Sequence, residues 1–555
     1  MRSPFVVTKV QLCLLSLCAL FCIDGSHLPA QEKSGAPYRI SGTVVNAATG
    51  EPLNRADVSI ATVKPPSITQ SAQTGPDGHF QFDNLPAAKY SLTGSRRGFI
   101  PAAYDEHEEY STAIVTGEGL SSENLVLRLA PDAVISGIVT EDSGDPVENA
   151  RVSLFRQTHD TGSEKARPAD NTMTDDSGAY EFSTVAPGDY FITVSGRPWY
   201  AENGEGMPHR FYTEEEAKDI THSPLDLVYA TSFYAEATNP DDATPIPLKG
   251  GERMQINFEL HPLPALHLLV RSPVSDGPIR VSPMPSLSKE VFGTSDYVET
   301  NARAIAPGLT EISVAPGEYQ IHLRGGANSP SERLSAVNVT SDESIDAGTG
   351  QVLASISGRV AMASGEPLPR STVVTLTSSD GQNRNGSVAG EEGTFELANV
   401  PPGQYRPDAW GNGKHLFVSK LAVNGAQVEG SRITIGNSPV MIAATVYPDP
   451  NLEVTGFANK DRKPAPGAMI VLVPQDPANN RDLFRRDQSD SDGSFALLDV
   501  IPGKYTVVAI QDGWALNWAE ADVIAHYLAL GKSVTVTETN SKATALKEPV
   551  QVQPK

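Results

Sequence analysis

Cysteine is almost missing from this chain of 555 residues: it has three, Cys13, Cys18 and Cys22, all in the first 22 positions. If that segment is removed on export, no disulfide or thiol chemistry remains. The rest of the chain must then be held by apolar cores and hydrogen-bonded ladders alone. Basic residues are also scarce, 43 Lys and Arg against 67 Asp and Glu, a formal net charge of −24. No basic cluster interrupts this excess, which argues against nucleic acid and anionic membrane surfaces as partners. The acidity is read as a device for solubility. Past the first residues no apolar run is long enough for a membrane helix, so no transmembrane segment is expected once the leader is gone.

Catalytic signatures are missing too. None of the 11 histidines has a Glu three residues later, and no H-E-x-x-H zinc motif occurs. There is no G-x-S-x-G nucleophile elbow. Gly531-Lys532-Ser533 imitates the end of a P-loop, but His526 stands where the first glycine is required, and the segment enters the strand-like Val534-Thr535-Val536. Asp487, Asp490 and Asp492 precede Gly493 in an oxygen-rich run, yet Gln488 and Val500 break the calcium-loop pattern. A solvated hairpin turn is the reading adopted there. The expectation is a protein that is not an enzyme, with no cofactor and no metal.

The N-terminus is an export leader by its pattern. Arg2 and Lys9 precede an uncharged apolar run from Val10 to Ile23, too short to span a bilayer but suited to a signal peptide. Leu28-Pro29-Ala30 before Gln31 offers a cleavage site, which assigns residues 1–30 to the signal. Phe21 and Leu17, which precede two of the cysteines, are poor matches to a lipoprotein signal. The protein is therefore expected to be exported, to the periplasm, the cell surface or the medium.

What the chain has in abundance is one phrase, repeated. Asp77-Gly78-His79-Phe80-Gln81-Phe82 leads to Lys89-Tyr90; Ser177-Gly178-Ala179-Tyr180-Glu181-Phe182 leads to Pro187-Gly188-Asp189-Tyr190. Glu392-Gly393-Thr394-Phe395 leads to Pro402-Gly403-Gln404-Tyr405, and Asp492-Gly493-Ser494-Phe495 to Pro502-Gly503-Lys504-Tyr505. The first glycine precedes the tyrosine by 12 residues in all four. A decayed copy, Pro316-Gly317-Glu318-Tyr319, keeps the second half. Each phrase has a front end such as Ile40-Ser41-Gly42-Thr43-Val44 before Gly50-Glu51-Pro52-Leu53. Short apolar–polar alternation between Gly- and Pro-rich turns predicts half-buried strands, and strands at this spacing predict β-sandwiches. The tyrosine ring is expected in the core, with its hydroxyl on a backbone partner, as in a tyrosine corner.

The combined pattern G-x-V, G-x-P-L-x-x-A-x-V-x-L, D-x-x-G-x-F-x-F and P-G-x-Y resembles the carboxypeptidase regulatory-like domain. That resemblance implies a prealbumin (transthyretin)-like β-sandwich, related in shape to starch-binding-like folds, with no catalysis of its own. In bacteria such modules resemble surface and periplasmic accessory domains. The fold class expected is all-β, a tandem array of prealbumin-like sandwiches. The expected boundaries are 36–131, 132–262 with an aromatic-rich insertion, a divergent 263–350, 351–449 and 450–541, then a frayed tail at 542–555. Short Pro-bearing junctions such as Leu129-Ala130-Pro131 favour a semi-rigid string. Collagen-adhesin B-type repeats are similar and cross-link through a buried Lys on the first strand. Val45, Val139, Val360 and Phe457 occupy that position here, which argues against the cross-link.

One positive hint of a ligand is aromatic. Trp199 and Trp514 lie nine residues after a repeat tyrosine, Trp410 five after its own, and Trp518 four beyond Trp514. These four are the candidate ligand residues, a loop platform on which sugar rings could stack; the competing reading is that they cap the sandwich ends. The role expected is an exported non-catalytic protein of the cell envelope, structural or binding, with a polysaccharide or another envelope protein as partner. The alternative is an accessory subunit that positions an enzyme or an outer-membrane receptor. Mass spectrometry of protein from its native host should find an N-terminus near Gln31; soluble cytoplasmic protein retaining Met1 would refute the export reading.

Overall fold

A computed structural model describes residues 38–201, 216, 222–274, 283–298, 301–323, 333–378, 384–429, 432–448, 452–537 and 543–555. The expected leader, and Phe211 and Tyr212 of the insertion, lie outside the described residues. The chain is mostly strand, with a five-residue helix at Ala521–Ala525 and a 3-10 turn at Leu528–Leu530, where a turn or two of helix is expected.

The alternation does what its period of two requires. In the strand His79–Leu85, Phe80, Phe82 and Leu85 point inward while His79 and Gln81 face water. One pairing scheme then recurs five times: the first strand of each unit pairs antiparallel with the strand after the second turn and parallel with a closing strand. Tyr38–Asn46 lies between His79–Leu85 and Leu125–Leu129. Ala133–Glu141 lies between Ala179–Val185 and the short strands Arg253–Gln255 and Phe258–Leu260. Ala354–Met362 lies between Thr394–Val400 and Val440–Pro448. The divergent third unit keeps the scheme, with Leu266–Arg271 between Leu309–Val314 and Glu343–Asp346. In the last unit Glu453–Lys460 pairs antiparallel with Ser494–Leu497 and parallel with Ala543–Ala545 and Val550–Gln553.

That last pairing corrects one expectation. Residues 543–555 are not a frayed tail: Val550 is fully buried and Val552 nearly so, and they supply the closing strand of the fifth sandwich. A parallel partner is invisible in local pattern because it lies a whole domain away. Each unit wraps its own apolar cluster, within residues 40–129, 133–260, 268–347, 354–446 and 452–552.

The repeated phrase has one structural meaning throughout. Tyr90, Tyr190, Tyr319, Tyr405 and Tyr505 are all buried, and each hydroxyl donates to the carbonyl four residues back: Pro86 at 3.1 Å, Ala186 at 2.8 Å, Ala315 at 2.8 Å, Pro401 at 2.9 Å and Ile501 at 2.6 Å. The bond pins the Pro-Gly turn to the strand that the tyrosine begins. The glycine of the first half is fixed by space as well as by conformation. Gly78, Gly178, Gly393 and Gly493 have φ between +69° and +80°, and a Cβ on any of them would run into the carbonyl oxygen of Val44, Val139, Val360 or Ala458. Those same first-strand residues donate their N–H to the glycine carbonyl at 2.7–2.9 Å.

Two substitutions in one sandwich separate these roles. Tyr405→Phe loses one hydrogen bond and should cost about 0.5–1.5 kcal/mol. Gly393→Ala meets both the positive φ and the Val360 carbonyl and should cost about 1–3 kcal/mol. Urea unfolding read by hydrogen exchange within residues 354–446 would rank them, and a larger loss for Tyr405→Phe would show that the turn is not the tighter constraint.

Candidate functional site

The four tryptophans do not share one fate. Trp199 stands 83% exposed, edge-on to Tyr200 at 5.6 Å between ring centroids. Tyr200 is tethered beneath it by hydrogen bonds to Glu141 at 3.0 and 3.1 Å, and Glu141, itself buried, also accepts from Tyr229. Burial and that carboxylate push the Tyr200 phenol up to about 12. Trp410 is not in a loop: it lies in the strand Gly403–Gly411, half-buried, with its ring 4.9 Å from that of His415 and the Arg384 guanidinium 5.9 Å from its centroid.

Trp514 and Trp518 are buried, 9% and 7% exposed, so they form no open sugar platform. They pack on their own sandwich, in a cluster with Met469, Val471, Phe484 and Ile510. Further cover comes from residues more than 300 positions earlier in the chain. His107 stacks on Trp514 with ring centroids 5.0 Å apart and an 8° interplanar angle, and Tyr110 leans on the same ring at 5.6 Å. Trp518 donates its indole N–H to the His159 carbonyl at 2.9 Å.

Arg486, from the strand Arg485–Gln488, lies at the centre of this cluster with its side chain 2% exposed. Its guanidinium sits 4.3 Å from the Trp518 ring centroid, 5.1 Å from Tyr110 and 5.7 Å from Trp514. Nη2 donates to Glu108 Oε2 at 2.7 Å and to the Asp160 carbonyl at 3.0 Å. One arginine of the fifth sandwich thus joins the first and the second. Cation–π contact and a carboxylate offset the loss of water from the cation.

A polar seam continues the contact. Ser163 donates to Glu520 at 2.8 Å, and Arg481 meets both at 2.5 and 2.7 Å. Ala519 N–H donates to the Gly162 carbonyl. On the other flank Gln488 donates to Thr112 at 2.8 Å and to the Asp105 carbonyl at 2.5 Å. The aspartate-rich loop belongs here and is not a solvated turn. Asp490 pairs with Lys89 and accepts from Ala113 N–H, while Ser491 exchanges backbone and side-chain bonds with Ala113 and Val115. Asp487 accepts from the N–H groups of Gln488 and Ala496, and burial pushes its carboxyl up to about 6. A further junction binds the fourth sandwich to the fifth. The Asp482 carboxylate, 3% exposed, is held by Arg406 at 2.6 Å and Arg432 at 2.8 Å.

A chain of sandwiches with this turn, this corner and this strand order defines a multi-domain protein of the prealbumin-like type. Residues 39–118, 134–203 and 355–436 match the carboxypeptidase regulatory-like domain. The protein therefore carries three such domains, and the sandwich around Tyr505 repeats their contacts outside the matched residues. No curated protein sequence matches the chain. Among solved structures, the Bacillus anthracis TIE protein is similar over 76% of each chain at 12% identity, with a TM-score of 0.18. The minor pilin GBS52 of Streptococcus agalactiae is similar over 41% of this chain and 97% of its own, at 12% identity and a TM-score of 0.21. BcpA, the major pilin subunit of Bacillus cereus, is similar over 74% and 99%, at 8% identity and a TM-score of 0.14. At such scores the chains do not superpose as wholes.

Removing the Trp518 ring should open a cavity and cost about 3–5 kcal/mol. Because that ring faces another domain, Trp518→Ala should also release the last sandwich from the first two, read as a larger radius of gyration in solution scattering. An unchanged radius would mean that the polar seam holds the contact alone.

Proposed function

We propose that this protein is an exported, non-catalytic scaffold of the cell envelope, which presents a binding surface on a rigid body of β-sandwiches. The observation that supports the reading is the fold-back centred on Arg486. A chain meant only to span distance has no use for a buried cation that clamps its fifth domain onto its first two, whereas a scaffold that must hold surfaces in fixed relation does. The leader pattern of residues 1–30 and the acidic balance of the chain agree with a place outside the cytoplasm.

Within this reading Trp199 is the residue that meets the partner. Its ring is open to solvent, and its neighbour Tyr200 is anchored by Glu141, so a flat aromatic face is held in place at little further cost in entropy. A polysaccharide suits such a face by stacking; an envelope protein with an aromatic pocket or an arginine suits it equally in chemistry. An accessory subunit that positions an enzyme or a receptor is the second reading, and it uses the same rigidity.

Envelope preparations from the native host should retain the labelled protein. Trp199→Ala should weaken retention about tenfold, the loss of roughly one aromatic contact, with an unchanged melting temperature because the ring packs on little. Digesting the polysaccharide beforehand separates a sugar partner from a protein one. No retention of the unaltered protein would overturn the binding role.

A further inference from the structure

Two imidazoles and three carboxylates converge where the second sandwich meets the third. His222 and Asp226 sit four positions apart just before the short strand Leu227–Tyr229, and that loop is fixed by Asp226 N–H on the Ser223 carbonyl and by Ala265 N–H on the Asp226 carbonyl. His267 comes from the strand Leu266–Arg271, and Glu311 from its antiparallel neighbour Leu309–Val314. Asp342 accepts the His267 backbone N–H at 2.8 Å.

The side chains are packed closely. The His222 and His267 rings stack with centroids 3.4 Å apart and an interplanar angle of 12°. His267 Nε2 lies 3.0 Å from Asp226 Oδ2, and His222 Nε2 lies 3.2 Å from Glu311 Oε2. One donor atom from each of His222, Asp226 and His267 falls within 4.8 Å of the other two. Asp226 and His267 are each 8% exposed, yet Asp226 Oδ1 and His267 Nδ1 are buried with no hydrogen-bond partner. Buried polar atoms left unmatched call for an explanation, and an absent ion is one of the few available.

We propose that His222, Asp226 and His267 bind a divalent transition-metal ion, with zinc the best match, which pins the second sandwich to the third. Two imidazole nitrogens and one carboxylate are a zinc donor set, and a water completes the tetrahedron. A calcium or magnesium ion would demand oxygens, which this group supplies poorly. Zinc ligands at about 2.0–2.2 Å sit closer together than 4.8 Å, and lone pairs in two stacked ring planes do not converge on one ion, so binding turns His222, the least buried of the three, out of its stack on His267. Glu311 and Asp342 stay in the outer layer: Glu311 holds Arg303 at 2.5 Å, and Asp342 lies 3.4 Å from His267 Nδ1. No sequence motif marks this site, because His267 is separated from Asp226 by 41 residues and belongs to the next domain.

Titration calorimetry of the exported chain, stripped with chelator, should show one zinc per chain and no comparable uptake of calcium. Zinc at about 100 times its dissociation constant should raise the melting temperature of the transition that includes the third sandwich. His222→Gln, at a partly exposed position whose loss the fold tolerates, should weaken zinc binding tenfold or more, with far-ultraviolet circular dichroism unchanged. His267→Ala should abolish binding. Cobalt substituted for zinc should give visible absorption bands of tetrahedral intensity, lost in the same variants. Absence of stoichiometric zinc uptake, or uptake untouched by His222→Gln, would overturn the site and leave these groups as an ion-paired histidine stack.

Discussion

A guanidinium taken out of water costs several kcal/mol unless its donors and both its flat faces find partners. Arg486 comes nearest to that condition when three sandwiches are in place: Nη2 and the ring-facing surface find partners, while Nη1 stays buried with no hydrogen-bond partner among the described residues. Its own domain supplies Trp514 and Trp518, the first supplies Tyr110 and Glu108, and the second supplies the Asp160 carbonyl. Separate the domains and the cation regains water, but two tryptophans and Tyr110 are bared with it. The cluster therefore couples the domains more tightly than its area alone would, because apolar and charged groups must be exposed together.

The units themselves are built by local rules, and these are legible in the sequence. A glycine that must take positive φ, a Pro-Gly turn and a tyrosine at fixed distance act within a short stretch of chain, so their spacing survives from copy to copy. Even the third unit, which keeps only Pro316-Gly317-Glu318-Tyr319, folds with the same corner at Tyr319. Another repeated device is harder to see. Thr74 and Thr174 are buried, each donating to a carbonyl at 2.6 Å and accepting an N–H, from Ala56 at 2.9 Å and from Ala150 at 2.8 Å. Ser489 does the same between Ala465 and Ala468. Its signal is a Thr or Ser four residues before the turn glycine at 78, 178 and 493. A lone hydroxyl among turn residues reads as ordinary turn chemistry, and that resemblance hides it.

Contacts that cross domains leave no such trace. Asp490 looks like part of a solvated turn in sequence because Lys89 and Ala113 lie some 400 residues away. The last residues look frayed because their partners, Ala458 and Ala509, are parallel neighbours brought together only by the finished sandwich. His222, Asp226 and His267 form no motif along the chain. In each case the determining contact is non-local, and hydrophobic periodicity carries no information about it.

The tryptophans show how far position alone can be trusted. Trp199 and Trp514 stand at the same distance from their tyrosines, and both come after the same strand of the same fold. Trp514, 9% exposed, packs within its own domain with Met469, Ile510 and Arg486, whereas Trp199 is 83% exposed. The rest of the difference lies in what the chain brings opposite. Trp514 meets His107, Tyr110 and Arg486, whereas Trp199 meets only the edge of Tyr200 among the described residues. The loop after this strand is thus a place where the fold tolerates an aromatic face, and its use is set by the surface that arrives. In the fifth sandwich that surface is the chain's own. At Trp199 no described residue takes that part.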